Sequence, residues 1–425
     1  MLDFNLTKDY YILVNKIFQV FYYIISQKEP IMKVAGIIAE YNPFHNGHAY
    51  LAERARNAGF THVVAVMSGN FVQRGEPALM HHTERTRAAL ECGVDLVIQL
   101  PGVYAVSSAQ NFARAGVEIL NGIGCVDSLI FGSECGDTQK IVEAAKAVYG
   151  EEIKKHLSEE LDKGISFAAA RENALRKISP GSADIIQSPN NILGVEYAAA
   201  LERINSNIKP LTFERIGAAH DSDEVQSNVA SASLIREKIR RGEGIDGLVP
   251  QKAAEIYKSS NFSDFNKIEN AILYKMRIST AAEIACAPDV SEGIENRIAA
   301  AAKSASSLDE LYSIAKTKRY SHARIRRIVM NHFLTVTAED LKISVPYIRV
   351  MGFNSKGAEV LRFAKESASL PVITKAADIA SLGSDAQRIF SLECTAGDIY
   401  ALCMSSCVAE KDCRPVISYL PENQT

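Results

Sequence analysis

The chain of 425 residues is 47% hydrophobic and 23% charged, and its 47 lysines and arginines nearly balance its 50 aspartates and glutamates. This composition excludes a disordered chain, a collagen and a long coiled coil, and the length predicts two or three domains, of which we take two. Eight irregularly spaced cysteines argue against a disulfide-linked secreted protein and favour a cytoplasmic one.

The first 31 residues form an N-terminal extension that has two interpretations. Residues 10–25 are apolar enough to resemble a membrane segment, but Asn15, Lys16 and Gln19 interrupt the run, and no small-residue cleavage site follows it. We therefore expect neither a signal peptide nor a membrane helix. Because Met32 opens a strongly patterned strand, residues 1–31 are either an amphipathic extension or the result of a mis-assigned start.

From Met32 onward, strands alternate with helices. Apolar runs predict strands at 34–39, 63–67, 96–100, 128–131 and 210–216, and helical spacing predicts helices at 47–58, 83–91, 108–120, across 137–206 and at 231–241. This order is typical of a Rossmann-like parallel α/β sheet, in which ligands bind beyond the carboxyl ends of the strands. Beyond residue 245 the pattern is mainly helical. We therefore predict an α/β domain at 32–245 and a mainly helical domain at 246–425.

Two common nucleotide-binding motifs are missing from the sequence. There is no Gly-Lys dipeptide, which excludes a P-loop. Gly122 and Gly124 begin like a dinucleotide fingerprint, but they precede a predicted strand instead of following one. The chain also lacks a glycine-rich loop of the kind that acetyl-CoA-dependent acetyltransferases use.

The loop after the first predicted strand, EYNPFHNGH at 40–48, carries the strongest functional motif. His45 and His48 flank Gly47 at the start of a helix, where free backbone N–H groups attract an anion. Two imidazoles three residues apart can donate hydrogen bonds to a phosphate and stabilise the charge that develops during nucleotidyl transfer. A metal pair and surface histidines in a turn are the alternatives.

This loop resembles that of the H-x-G-H nucleotidyltransferase superfamily, which includes class I aminoacyl-tRNA synthetases and small adenylyltransferases. The superfamily also has a later Ser/Thr-rich helix start that ends in an arginine and holds the outer phosphates of ATP. The segment VASASLIR at 229–236 has this character. Ser231 or Ser233 can cap the helix there, and Arg236 can bind phosphate.

A closer resemblance covers nearly the whole chain from Met32. The segments EYNPFHNGH (40–48), MSGNFVQRGEPA (67–78), FGSE (131–134), SPNNILG (188–194), KRY (318–320), RIRR (324–327) and PYIRVMGFN (346–354) together resemble the bacterial tRNA(Met) cytidine acetate ligase family. The resemblance implies that ATP activates acetate as acetyl-adenylate. The acetyl group then passes to the exocyclic amine of the wobble cytidine of elongator tRNA(Met).

The resemblance also implies an ATP site, in which His45 and His48 are catalytic. Its expected residues are Ile38, Ala39, Glu40, Tyr41, Asn42, Pro43, Phe44, His45, Asn46, Gly47, His48, Ala49, Tyr50, Leu51, Gly132, Asn190, Asn191, Arg215, Ile216, Ser231 and Arg236. The sequence does not separate Asn190 from Asn191. Many relatives have a Lys-Trp pair where this chain has His82-Thr83, and His82 would hold an anion less well at neutral pH.

Other loops are candidates for acetate and for RNA. Ser68, Asn70, Gln73 and Arg74 follow the second strand and are expected to line the acetate or cytidine pocket. Since the net charge is only −3, RNA binding needs a local basic patch. Such a patch contains Lys316, Lys318, Arg319, Arg324, Arg326 and Arg327, and Tyr320 within it is expected to stack on a base. A solvated helix face is the alternative explanation, and Arg236 to Arg241 form a second candidate patch.

Mg²⁺ is expected to accompany ATP, because the charge of the triphosphate has to be screened, although no carboxylate cluster marks a metal site. Cys394, Cys403, Cys407 and Cys413 lack the pairwise spacing of a zinc site, so we expect free thiols there. Two other functions remain open at this point. One is an adenylyltransferase that acts on a small phosphate ester or mononucleotide, and the other is an RNA-binding protein with a vestigial nucleotide site.

Overall fold

The computed structural model describes residues 32–216, 230–407 and 415–418. The N-terminal extension, Val229 of the Ser-rich segment and Cys413 therefore lie outside the described residues. Within the described ranges, no helix combines the length and the apolar character that a membrane crossing requires.

A mostly parallel sheet forms the centre of the protein. The strands are β1 (Val34–Ala39), β2 (His62–Ser68), β3 (Phe71–Val72), β4 (Glu76–Pro77), β5 (Leu96–Leu100), β6 (Ser128–Ser133), β7 (Lys209–Glu214), β8 (Ile348–Phe353), β9 (Val372–Ile373) and β10 (Val416–Ile417). The order across the sheet is β10-β8-β5-β2-β1-β6-β7, with β9 beside β8. All neighbours run parallel except β5 and β8, and β3 and β4 form a separate antiparallel hairpin.

Helices connect and cover these strands. Their bounds are α1 (Asn46–Asn57), α2 (His82–Glu91), α3 (Gly102–Ala105), α4 (Ala109–Gly122), α5 (Thr138–Tyr149), α6 (Glu151–Leu161), α7 (Phe167–Ile178), α8 (Pro180–Ile185), α9 (Pro189–Arg203), α10 (Ala232–Arg240), α11 (Gln251–Ser259), α12 (Asn266–Ile278), α13 (Ala281–Ala285), α14 (Ile294–Ser304), α15 (Leu308–Ala315), α16 (His322–Phe333), α17 (Ala338–Lys342), α18 (Ser355–Ser367) and α19 (Ser384–Ala401). A short 3₁₀ helix spans Ala376–Ser381.

The central strands are buried because helices cover both faces of the sheet. Every residue of β2 and β5 is buried, which explains why their sequences are continuous apolar runs rather than alternating patterns. In the register of the sheet, Ala39 at the end of β1 lies opposite Met67 near the end of β2. The loops that follow these two strands therefore leave the sheet at the same edge.

The predicted fold class is confirmed. The first strand is observed at Val34–Ala39 and the third at Leu96–Leu100, as the sequence predicts, and the other bounds differ by a few residues at most. The part of the chain beyond residue 245 is mainly helical, but its strand β8 pairs antiparallel with β5. The described residues from Val34 onward form one compact unit. The domain boundary near residue 245 stays a prediction.

Candidate active site

Helix α1 begins in the loop after β1, and its start is shaped by two histidines. His45 is the N-cap, and its Nδ1 accepts a hydrogen bond from the backbone N–H of Gly47 at 3.0 Å. In return, Nδ1 of His48 accepts from the backbone N–H of His45 at 3.2 Å. Because both Nδ1 atoms act as acceptors, each neutral ring carries its proton on Nε2.

The two imidazoles are stacked and neutral. Their ring centroids lie 3.8 Å apart with an interplanar angle of 28°. Burial, assisted by the charges of Arg215 and Arg236, lowers the pKa of His45 to about 3. Burial, the neighbouring His45 and Arg215 hold the pKa of His48 well below its ordinary value. At neutral pH the pair therefore offers neutral N–H donors.

A cavity of about 230 Å³ lies over this loop, at the carboxyl ends of β1 and β6. Its position agrees with the rule that open α/β sheets bind ligands at this edge. Among the expected ATP-site residues, those that line it are Ile38, Ala39, Glu40, Tyr41, Asn42, His45, His48, Leu51, Gly132, Asn190, Arg215, Ser231 and Arg236. The cavity thus brings together the predicted segments after β1, β6 and β7 and at the start of α10.

The remaining expected ATP-site residues are not in the cavity wall, and these are Pro43, Phe44, Asn46, Gly47, Ala49, Tyr50, Asn191 and Ile216. Several of them shape the loop instead. Phe44 is fully buried, and its carbonyl accepts a hydrogen bond from the hydroxyl of Tyr257. The side-chain amide of Asn46 donates to the carbonyl of Gly247 at 2.7 Å.

Asn190 and Asn191 have different surroundings. Oδ1 of the buried Asn191 accepts from the backbone N–H groups of Glu134 and Cys135, at 2.9 and 3.2 Å. Asn190 lines the cavity, and its side chain donates to Oε1 of Glu134 and accepts from Arg215. Of the two, Asn190 is therefore the one placed to meet a ligand, whereas Asn191 holds the loop after β6.

Two arginines supply positive charge to the cavity. Nη1 of Arg236 donates to the carbonyl of Asn42 at 2.8 Å, which ties the start of α10 to the histidine loop. Arg215 follows β7 and lies against Gly132, where a Cβ atom would come within 3.0 Å of its Cγ. Since both charges depress the pKa of His45, both guanidinium groups lie within electrostatic reach of the histidine pair.

A third arginine, Arg85, is fully buried beneath the cavity loops. It donates to the carbonyls of Met80 and Glu40 at 3.0 and 2.7 Å, and also to those of Ser68 and Gly69. Burial lowers the pKa of Arg85 to about 10, so the group stays charged at neutral pH. It therefore holds the loop after β1 against the loop after β2.

The expected acetate or cytidine residues divide into two pairs. Gln73 and Arg74, in the β3–β4 hairpin, line the cavity, whereas Ser68 and Asn70 do not. Oδ1 of Asn70 accepts from the backbone N–H of His82 at 3.2 Å. His82 is also absent from the cavity wall.

Half of the side chains of the basic patch form hydrogen bonds or ion pairs within the protein. Lys316, Lys318 and Arg319 are exposed, whereas Arg324, Arg326 and Arg327 bond to Asp289, Ser291 or Glu76. Tyr320 is 5% exposed, and its hydroxyl donates to the carbonyl of Glu292. The expectation that Tyr320 stacks on a base is therefore wrong.

Sequence reasoning missed most of the apolar wall. The further apolar and aromatic lining residues are Ile37, Val72, Phe112, Phe131, Leu193, Tyr197 and Ala232, and the polar Glu76 and Ser233 line the cavity as well. The rings of Phe131 and Tyr197 meet edge to face, 5.5 Å apart. Asn190, Leu193 and Tyr197 are three and four residues apart on α9, so their helical spacing was a usable signal. Phe131 opens the FGSE segment that the resemblance singled out, whereas Phe112 had no such signal, because it lies in an ordinary core segment.

No group of three or more histidine, cysteine or acidic side chains is arranged to hold a metal ion in the described ranges. Cys403 is buried, which raises the pKa of its thiol to about 12, whereas Cys394 and Cys407 are exposed.

Comparisons with known proteins point to one family. The HIGH Nucleotidyl Transferase family matches residues 32–414. A tRNA(Met) cytidine acetate ligase of Acetivibrio thermocellus is 41% identical over 399 residues, which cover 88% of this chain and 95% of that protein. The ligase of Clostridium kluyveri is 40% identical over 366 residues, covering 81% and 90%.

Solved structures give the same result. The crystal structure of apo Thermotoga maritima TmcAL matches with a TM-score of 0.86 and 30% identity, and covers 92% of this chain and 100% of that chain. TmcAL bound with alpha-thio ATP matches with a TM-score of 0.83 and 31% identity, at the same coverage.

Proposed function

We propose, from the premise that the chain belongs to the tRNA(Met) cytidine acetate ligase family of HIGH nucleotidyl transferases, that it activates acetate with ATP and acetylates tRNA. It is an ATP-dependent ligase. The full proposed reaction forms N4-acetylcytidine at the wobble position of elongator tRNA(Met), with AMP and pyrophosphate as the other products.

The observation that carries the proposal is the neutral histidine pair at the N-terminus of α1. In the first step an oxygen of acetate attacks the α-phosphorus of ATP, the new phosphorus–oxygen bond forms, and pyrophosphate leaves. Negative charge grows on the α-phosphate oxygens during this step. The Nε2–H groups of His45 and His48 stabilise that charge by hydrogen bonds without transferring a proton.

The arginines bind the charged part of the nucleotide. Arg236 and Ser231, at the start of α10, are assigned to the outer phosphates, where a helix N-terminus and a guanidinium group act together. The apolar wall of Phe131, Leu193 and Tyr197 suits a purine base, and Asn190 beside it can bond to the base or ribose.

In the second step the exocyclic amine of cytidine attacks the acyl carbon of acetyl-adenylate. A carbon–nitrogen bond forms, the bond between the acyl group and AMP breaks, and the amine releases a proton. Gln73 and Arg74 are our candidates for contacts with acetate or cytidine, because the hairpin that carries them borders the cavity.

Mg²⁺ is proposed to enter with ATP. Glu40 supplies a carboxylate to the cavity wall, and a magnesium ion held by phosphates and water needs only one or two such ligands. When bound, the ion would neutralise charge on the outer phosphates. The protein groups described above orient the nucleotide.

For tRNA, the exposed residues Lys316, Lys318 and Arg319 are the best candidates for phosphate contacts. Arg324, Arg326 and Arg327 also remain candidates for phosphate contacts, but each would have to exchange an internal bond for such a contact.

Since tRNA is the substrate, we place the reaction in the cytoplasm.

Acetate-dependent exchange of labelled pyrophosphate into ATP, measured without RNA, tests the first step. The proposal predicts exchange that requires acetate and is strongly reduced in His48→Ala. An adenylyltransferase acting on a phosphate ester or mononucleotide would show no acetate dependence, and exchange that acetate leaves unchanged would contradict the proposal.

A further inference from the structure

The β3–β4 hairpin forms one wall of the cavity, where Gln73, Arg74 and Glu76 line it. It is attached to the histidine loop, because the backbone N–H of Gln73 donates to Oε1 of Glu40 at 2.8 Å. The position of the hairpin therefore sets where the carboxylate of Glu76 lies relative to the phosphate-binding groups.

Helix α16 holds the hairpin from the other side. Nη1 of Arg326 donates to Oε1 of Glu76 at 2.9 Å, and Nη2 lies 3.9 Å from the exposed Asp309. The guanidinium carbon lies 5.4 Å from the ring centroid of Tyr312. The two backbones are also in close contact, since a Cβ atom on Gly75 would come within 2.9 Å of the carbonyl carbon of Arg326.

Glu76 shares the cavity wall with Arg236. Burial lowers the pKa of Arg236, whereas the nearby carboxylates of Glu40 and Glu76 raise it, so these charges interact within the cavity. If the Glu76 carboxylate were released from α16, it would be attracted to Arg236. It would then compete with phosphate oxygens for the same guanidinium group.

We propose that Arg326 is a positioning residue for ATP binding. Its ion pair holds the Glu76 carboxylate at α16, so that phosphate, rather than Glu76, becomes the partner of Arg236. The inference rests on the proposed function for the identity of the nucleotide. It gives Arg326 a role in the nucleotide site, whereas the sequence pattern alone placed it among the tRNA contacts.

The test compares ATP affinity among variants of the full-length protein by isothermal titration calorimetry. Arg326→Gln leaves Glu76 without this partner, and we expect the Kd for ATP to rise about tenfold, the size of one charge-assisted hydrogen bond. The double variant E76Q/R326Q also removes the competing carboxylate. Its Kd is expected to return to within about threefold of the wild type, by the same reasoning. Arg326→Lys keeps the charge and should lie between the wild type and Arg326→Gln.

A matched control is Arg388→Gln, which breaks the ion pair of Arg388 with the buried Asp340 outside the cavity. It is expected to leave the Kd for ATP unchanged. If Arg326 were important only for folding, the double variant would bind ATP no better than Arg326→Gln. That result, or a wild-type Kd for ATP in Arg326→Gln, would overturn the proposal.

These measurements contain neither acetate nor tRNA. If the wild-type protein failed to acetylate tRNA, the proposed function would be refuted, while the comparison of ATP affinities would still decide the role of Arg326.

Discussion

His45 and His48 each use Nδ1 to accept a backbone N–H, so the start of α1 fixes the tautomer of both rings. A charged imidazolium would bind phosphate more strongly in the ground state. A neutral N–H donor held in place binds substrate less tightly and favours the more highly charged transition state, which is the difference that raises the rate. Burial of the pair keeps the rings neutral.

Removing one of these donors should affect chemistry more than binding. We expect His48→Ala to lower the rate of acetate-dependent pyrophosphate exchange by about 10²–10³-fold, the usual cost of losing a transition-state hydrogen-bond donor. The Kd for ATP should change only a few-fold, because Arg215 and Arg236 remain. Equal losses in rate and in ATP affinity would mean that His48 acts in ground-state binding.

The low pKa of His45 also makes stability depend on pH. Between the folded value of about 3 and the unfolded value of about 6.5, the unfolded chain binds a proton that the folded chain does not. Stability is therefore lost as the pH falls below about 6.5. In His45→Asn, the difference in free energy of unfolding between pH 7.5 and 5.5 should shrink by about 1 kcal/mol. Urea unfolding at the two pH values measures this, and an unchanged difference would contradict the assigned pKa.

At the scale of elements, the cavity is built where strand ends, a hairpin and two helix starts meet. Periodicity predicts the strands and helices well, because one face of each is buried and its spacing is visible in the sequence. It does not predict that β8 (Ile348–Phe353) pairs with β5, which lies about 250 residues earlier in the sequence. The side chains of Arg349 and Gln99, which are hydrogen-bonded in the folded protein, are 250 residues apart in the chain.

The same limit applies within the site. The histidine loop is recognisable because its residues are consecutive. The ion pair of Glu76 with Arg326, and the bonds of Asn191 to the loop after β6, join segments that only the folded chain brings together. Local patterns carry no information about such partners.

The close approach of Arg215 to Gly132, near the end of β6, can be tested by replacing the glycine with alanine. A Cβ atom there would lie 3.0 Å from Cγ of Arg215, so Gly132→Ala should displace Arg215 and raise the Kd for ATP by about 3- to 10-fold. Gly181→Ala is the control, because no atom lies within 4 Å of the added Cβ. If both variants bind ATP like the wild type, the close contact between Gly132 and Arg215 does not affect ATP binding.

Arg85 on α2 is expected to be essential for stability. Lysine cannot reproduce its fork of bonds to four carbonyl groups, so Arg85→Lys should lower the free energy of unfolding by about 3 kcal/mol or more. The exposed Arg87 lies on the same helix, and Arg87→Lys should change stability by less than about 0.5 kcal/mol. Similar small effects in both variants, measured by urea unfolding, would show that the buried fork is dispensable.

At the scale of the whole molecule, the cavity beside the histidine loop and the basic residues near 316–327 belong to one compact unit. The net charge of −3 gives no general attraction to RNA. Binding of tRNA must therefore depend on a local surface, and its affinity should fall steeply as the salt concentration rises.

The proposed reaction uses acetate and ATP to acetylate cytidine in tRNA(Met). The most direct measurement incubates the protein with ATP, Mg²⁺, labelled acetate and tRNA from cells that lack the modification, and then identifies labelled nucleosides by mass spectrometry. We expect labelled N4-acetylcytidine in elongator tRNA(Met), dependent on ATP and strongly reduced in His48→Ala. Protein that binds ATP normally but produces no labelled acetylcytidine would contradict it.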